Sequence, residues 1–204
     1  LNELPIEVQL VAVSKTKSNK DILESYEAGQ RVFGENKVQE MTRKHELLPK
    51  DIEWHMIGHV QSNKVKYMAP FVTLIHGVDS LKLLKEINKQ ALKNNRVISC
   101  LLQVNIAKES TKFGLSNREC IEALKAAESL ENIIIKGLMG MATYTDDLGQ
   151  IEQEFDGLKQ LYDQFAEKHS KFEILSMGMS GDYKIAIAKG SNMIRVGSKI
   201  FGER

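Results

Sequence analysis

The strongest constraint on this chain is an alternation. Short apolar, β-branched runs are followed by stretches of helical spacing, and the pattern holds along all 204 residues. Eight runs read as strands: VQLVAVS (8–14), RVFGE (31–35), EWHMIGH (53–59), TLIHGV (73–78), ISCLLQVNI (98–106), IIIKGLMGMA (133–142), FEILSMGM (172–179) and NMIRVG (192–197). Seven helical segments separate them. The first, SNKDILESYEAG, shows both ends, with Ser18 or Asn19 as cap and Gly29 as stop. Strands joined by helices imply a parallel sheet, and eight in about 200 residues imply closure into a (β/α)8 barrel. An open doubly wound sheet would want a glycine-rich turn after its first strand, and SKTKS has no glycine. One barrel domain over residues 1–204 is the expectation. The chain stops directly after strand eight, so the helix covering that side would have to come from a segment ahead of Leu1.

Composition narrows the class of partner. Hydrophobic residues make up 42%, charged residues 27%, and the formal net charge is +1, the balance of a soluble globular chain rather than a basic nucleic-acid binder. No apolar run is long enough to cross a bilayer, and LNELPIEVQL has neither the basic nor the apolar part of a secretion leader. A cytoplasmic protein with no membrane or nucleic-acid partner is expected. Cys100 and Cys120 lack CxxC spacing and read as buried reduced thiols.

Barrels of this type keep their chemistry at the carboxyl ends of the strands. Those ends carry Lys15, then Glu35 with Asn36, His55 and His59, Asn105, the stretches GLMGMAT and GMSGD, and Arg195 leading into GSKIFG. In LSMGMSGDYKIAIAKG a strand breaks at Gly178, presents Ser180 and enters a helix whose leading N–H groups suit an anion. Gly197 and Ser198 offer a second turn where a phosphate can approach without a side chain in the way, although such glycines also serve simply as tight barrel turns. A strand-end lysine is ordinarily just solvated. A phosphate on one side of the mouth and a lysine on the other are nevertheless explained together by pyridoxal 5'-phosphate (PLP), which carries a phosphate and a lysine-reactive aldehyde. Partial desolvation of Lys15 would favour the neutral amine that reaction needs. His55 and His59 are four apart on a strand running into a turn, where that spacing does not converge on a metal. Lys64 and its neighbours read as a solvated helix face, with Asn63 and Lys64 close enough to line the rim. Met139 and Met141 read as core.

Taken in order, LVAVSKTKS, FGENKVQE, WHMIGHVQSNK, GLMGMATYTDD, LSMGMSGDYKIAIAKGS and IRVGSKIFGER resemble the pyridoxal phosphate homeostasis proteins, the YggS/PROSC family, from about Val11 to Arg204. The resemblance implies a single-domain barrel similar to the amino-terminal domain of alanine racemases. It implies that Lys15 holds PLP as a Schiff base, that Ser180, Gly197 and Ser198 bind its phosphate, and that Arg195 faces the pyridine nitrogen. Asn36 joins the cofactor-binding set from its place on the rim. Racemase analogy brings Lys112 near the cofactor and puts Met141 under the ring. Two departures stand out: a leading helix usual in the family is absent, and position 198 is Ser where Thr is common. The implied function is a non-catalytic, monomeric PLP binder that maintains PLP and amino-acid pools, with apo PLP-dependent enzymes as recipients. An amino-acid racemase is the alternative, disfavoured because two-base racemisation needs a second base from a further domain. A Schiff-base aldolase acting on a sugar phosphate is a third reading.

Overall fold

The computed structural model describes residues 4–107 and 113–202. Eight parallel strands close in sequence order: β1 (Gln9–Val13), β2 (Val32–Glu35), β3 (Glu53–Met56), β4 (Leu74–Val78), β5 (Ile98–Gln103), β6 (Ile133–Met139), β7 (Ile174–Ser176) and β8 (Met193–Val196). β1 pairs with both β2 and β8, which seals the barrel. All eight expected strands are present, each shorter than its apolar run. β2 and β4 end where their runs end, and the other six strands stop short of the carboxyl ends of theirs.

Helices α1 (Asn19–Glu27), α2 (Val38–Leu47), α3 (Val65–Met68), α4 (Leu81–Lys93), α5 (Asn117–Ala127), α6 (Leu148–Ala166) and α7 (Tyr183–Ala188) occupy the seven expected segments. Their starts follow capping chemistry. Ser18 caps α1 and Ser116 caps α5, each in a reciprocal box with the acidic residue three positions on. Gly29, at φ 101°, ends the α1 region as expected. Two boundaries differ from the sequence reading. Asp147 caps α6 and starts it at Leu148, ahead of the apolar run, and a one-turn helix α8 (Ser198–Phe201) follows β8 where none was expected.

Strand alternation sorts the side chains into two layers. Phe33, Trp54, Ile75, Leu84, Ile87 and Phe155 pack between strands and helices. Val11, Val32, Leu74, Leu101, Met139 and Met193 fill the barrel itself. Gly137 shows how tightly the strands close: at φ 153°, an added Cβ would lie 1.7 Å from the Ile174 carbonyl oxygen. Cys100 and Cys120 are buried free thiols, and burial pushes both up to about 12. Among the described residues no helix is long and apolar enough to cross a membrane.

Candidate functional site

β1 delivers Lys15 as expected. Val11 lies in the barrel interior, and alternation puts Val13 and Lys15 on the same face. The Ser14 N–H donates to the Gly34 carbonyl at 3.0 Å, so the ladder continues to the residue before the lysine. A turn follows at once: the Lys17 N–H reaches the Ser14 carbonyl at 3.0 Å, and Thr16 has φ 65°. Lys15 itself is half-buried. Ser14 points the other way, into the layer beneath α2, where its hydroxyl donates to Glu35 Oε1 at 2.6 Å. Lys44 of α2 is buried there, within 2.8 Å of Glu35 Oε1 and 2.7 Å of Glu40 Oε1. Burial pushes the Glu35 carboxyl upward, against the pull of its bonds to Lys44 and Ser14.

Across the barrel, Arg195 is almost wholly buried and spans β7 and β8. Its Nη1 donates to the Ser176 carbonyl at 2.9 Å and to Ser176 Oγ at 2.6 Å, and its Nη2 donates to the Gly140 carbonyl at 2.9 Å. Three of its five N–H donors are thereby used, leaving Nε–H and one Nη2–H outside these bonds. Ser176 Oγ, which accepts from Arg195, also lies 3.2 Å from His76 Nδ1. His76 Nε2 in turn lies 3.1 Å from His55 Nδ1, so one of the two rings donates to the other. These contacts join Arg195, Ser176, His76 and His55 in one buried chain. Desolvation holds His55 down to about 3 and His76 well below its ordinary value, so both rings are neutral at physiological pH. Burial also lowers Arg195 to about 10, with Asp182 opposing; it remains a cation. Among the described residues no carboxylate hydrogen-bonds to it.

The two expected phosphate turns meet. The Gly197 N–H donates to Ser180 Oγ at 3.2 Å, joining the loop after β7 to the loop after β8 beside Arg195. Ser198 is exposed at the start of α8. At Gly197 an added Cβ would meet the Val13 carbonyl oxygen at 3.2 Å and Val13 Cβ at 3.3 Å. Its missing side chain makes room for β1. Asn36 is half-buried on the rim, with its backbone so close to Gly58 that a Cβ at 58 would lie 2.5 Å from the Asn36 carbonyl oxygen. Met141 is partly buried against the interior cluster that includes Met139. Lys112 lies outside the described residues.

His55 and His59 part company as expected. His55 joins the interior chain, whereas His59 stands on the rim with Nδ1 2.7 Å from Asp79 and its ring stacked on Phe113. No group of metal-ligating side chains occurs among the described residues. Sequence reasoning missed His76, Ser176 and Lys44. For the first two a signal existed: each is a polar residue at an inward position of a strand otherwise apolar on that face.

The sequence matches the family described as "Alanine racemase, N-terminal domain" over residues 2–204. A pyridoxal phosphate homeostasis protein of Aquifex aeolicus is 39% identical over 198 residues, covering 96% of this chain and 87% of the relative. One of Helicobacter pylori is 41% identical over 199 residues, 96% of this chain and 88% of the relative. PipY of Synechococcus elongatus, solved with PLP bound, superposes with a TM-score of 0.90 at 34% identity, over 98% of this chain and 95% of that one. An alanine racemase of Clostridium difficile has a TM-score of 0.85 at 14% identity; this chain spans 54% of its length, and the likeness is one of fold. With relatives at this level of identity along nearly its whole length, the chain belongs to the pyridoxal phosphate homeostasis family, built on the alanine racemase amino-terminal barrel.

Proposed function

We propose that this chain binds PLP in the barrel mouth, attached to Lys15, and serves as a non-catalytic carrier that maintains intracellular PLP and, through it, amino-acid pools. The observation that carries the reading is Arg195: a buried cation whose hydrogen-bond acceptors among the described residues are all neutral, and with N–H groups outside those bonds. Burying a charge without a carboxylate is costly, and an electron-rich ligand offsets that cost. The pyridine nitrogen of PLP is such a group. The family relatives' names and the PLP-bound PipY structure support the same cofactor.

Bound PLP supplies an aldehyde whose carbon becomes double-bonded to a lysine nitrogen, its oxygen leaving as water with two hydrogens of the neutral amine. Lys15 provides that amine from the end of β1. Ser180 and the Gly197–Ser198 turn hold the phosphate, Asn36 and Met141 border the ring, and Arg195 donates to the ring nitrogen. An arginine at that nitrogen keeps it unprotonated, so the ring withdraws electrons poorly and carrying is favoured over carbanion chemistry. Apo PLP-dependent enzymes are the recipients in this reading. The protein acts as a cytoplasmic monomer.

Titration with PLP while recording the visible spectrum tests the proposal. A saturable band near the visible edge is expected, with no racemisation of L-alanine by the loaded protein. No band would refute PLP binding through a lysine, and sustained racemisation would refute the carrier role.

A further inference from the structure

Lys15 sits between two residues that are both held from behind the barrel. On one side the Ser14 hydroxyl donates to Glu35 Oε1 at 2.6 Å, and the Ser14 carbonyl accepts from Lys44 Nζ at 2.8 Å. On the other side the Thr16 N–H donates to Glu40 Oε1 at 2.7 Å. Lys44 ties the two grips together by its bonds to Glu35 and Glu40. We propose that Glu35, Lys44 and Glu40 are positioning residues for Lys15, a partly buried ionic clamp that fixes the backbone on both sides of the lysine so that its amine meets a carbonyl ligand in one geometry.

Three features favour a positioning role over simple anchoring of α2. First, three of the five bonds run to Ser14 and Thr16, and only two are internal to the charged trio. Second, Thr16 is a β-branched residue at φ 65°, at the turn position where Gly or Asn is usual. Such a conformation persists only where the surroundings over-determine it. Glu40 holds its N–H, and Lys17 Nζ fastens the next residue to the Phe201 carbonyl at 2.9 Å. Third, a buried ion pair is a poor device for stability, since packed apolar residues of the same volume often serve as well or better. Glu35 even leaves its second oxygen, Oε2, buried without a partner. What the charges add is direction, and the direction they impose is that of the Ser14–Lys17 turn.

The inference rests on Lys15 being the attachment point proposed above, and two phosphorylated probes separate the claims. PLP reports covalent capture. Pyridoxine 5'-phosphate has the same ring and phosphate with an alcohol in place of the aldehyde, so it reports non-covalent binding alone. The first variant is Glu40→Ala, which removes the grip on Thr16 and leaves the Lys44–Glu35 pair in place. The second is the double variant Glu35→Gln with Lys44→Met, which removes the charges together; thermal unfolding monitors the fold of both. PLP affinity and the rate of appearance of its visible band should each fall about tenfold, the scale of lost orientation, while pyridoxine 5'-phosphate binds as before. Glu40→Gln keeps an oxygen for the Thr16 N–H and should restore most of the PLP rate. Equal losses for both probes, or no loss for either in folded variants, would overturn the clamp. The attachment reading fails separately, if Lys15→Ala keeps the band.

Discussion

Two buried polar networks flank the mouth of this barrel, and they treat charge in opposite ways. Outside the strands, behind Lys15, the Lys44 cation lies against Glu35 and Glu40, its charge matched on the spot. Inside, the Arg195 cation meets backbone carbonyls, a serine hydroxyl and, beyond it, two neutral histidines. The first network spends three of its bonds on the backbone and hydroxyl groups of Ser14 and Thr16. In the second, the described hydrogen-bond acceptors of the cation are neutral, with Asp182 acting on it electrostatically. The two networks therefore differ in what balances a buried cation: carboxylates in the outer one, neutral acceptors in the inner one.

The largest expected effect tests the matched side. Lys44→Met alone strands the Glu35 carboxylate in the core and should cost about 3 to 5 kcal/mol in urea unfolding at neutral pH. A loss below about 1 kcal/mol would mean that the outer charges are not a coupled unit.

Acid sharpens the contrast. His55 is held to about 3 when folded, against an ordinary value of 6.5, so between those limits the unfolded chain binds a proton that the native one refuses. Stability is therefore fully present above about 6.5 and falls as pH drops toward 3, by about 1.4 kcal/mol per pH unit for this histidine. Unfolding of His55→Gln measured across that window should show a correspondingly shallower slope. An unchanged slope would place the acid sensitivity elsewhere.

The smallest effect concerns the phosphate turns. Ser180→Ala removes one hydroxyl from the junction with Gly197 and should weaken PLP binding by about 1 to 3 kcal/mol, the range for one charge-assisted hydrogen bond. Calorimetric titration checks it, and indifference would move the phosphate away from this junction.

The barrel was legible because its strands are buried on both faces and so stand out as apolar runs between helical stretches. Lys15 and Arg195 were legible for a related reason: a charge at or near the end of such a run is conspicuous. Lys44 was not. In VQEMTRKHEL it looks like its neighbour Arg43, and its spacing from Glu40 reads as an ordinary surface pair. Only the packing of α2 onto β1 and β2 reveals that one is exposed and the other buried. Gly197 shows a different limit, since no linear pattern reveals that its bare Cα also leaves room for Val13. The histidine chain lies between these cases. Its residues carried the right parity, but no linear pattern joins His55, His76, Ser176 and Arg195 across four strands.

The most direct measurement is borohydride reduction of the protein mixed with PLP, followed by peptide mapping. The account predicts a single reduced label on the peptide containing Lys15, absent from a folded Lys15→Ala variant. A label on another lysine, or none, would contradict it.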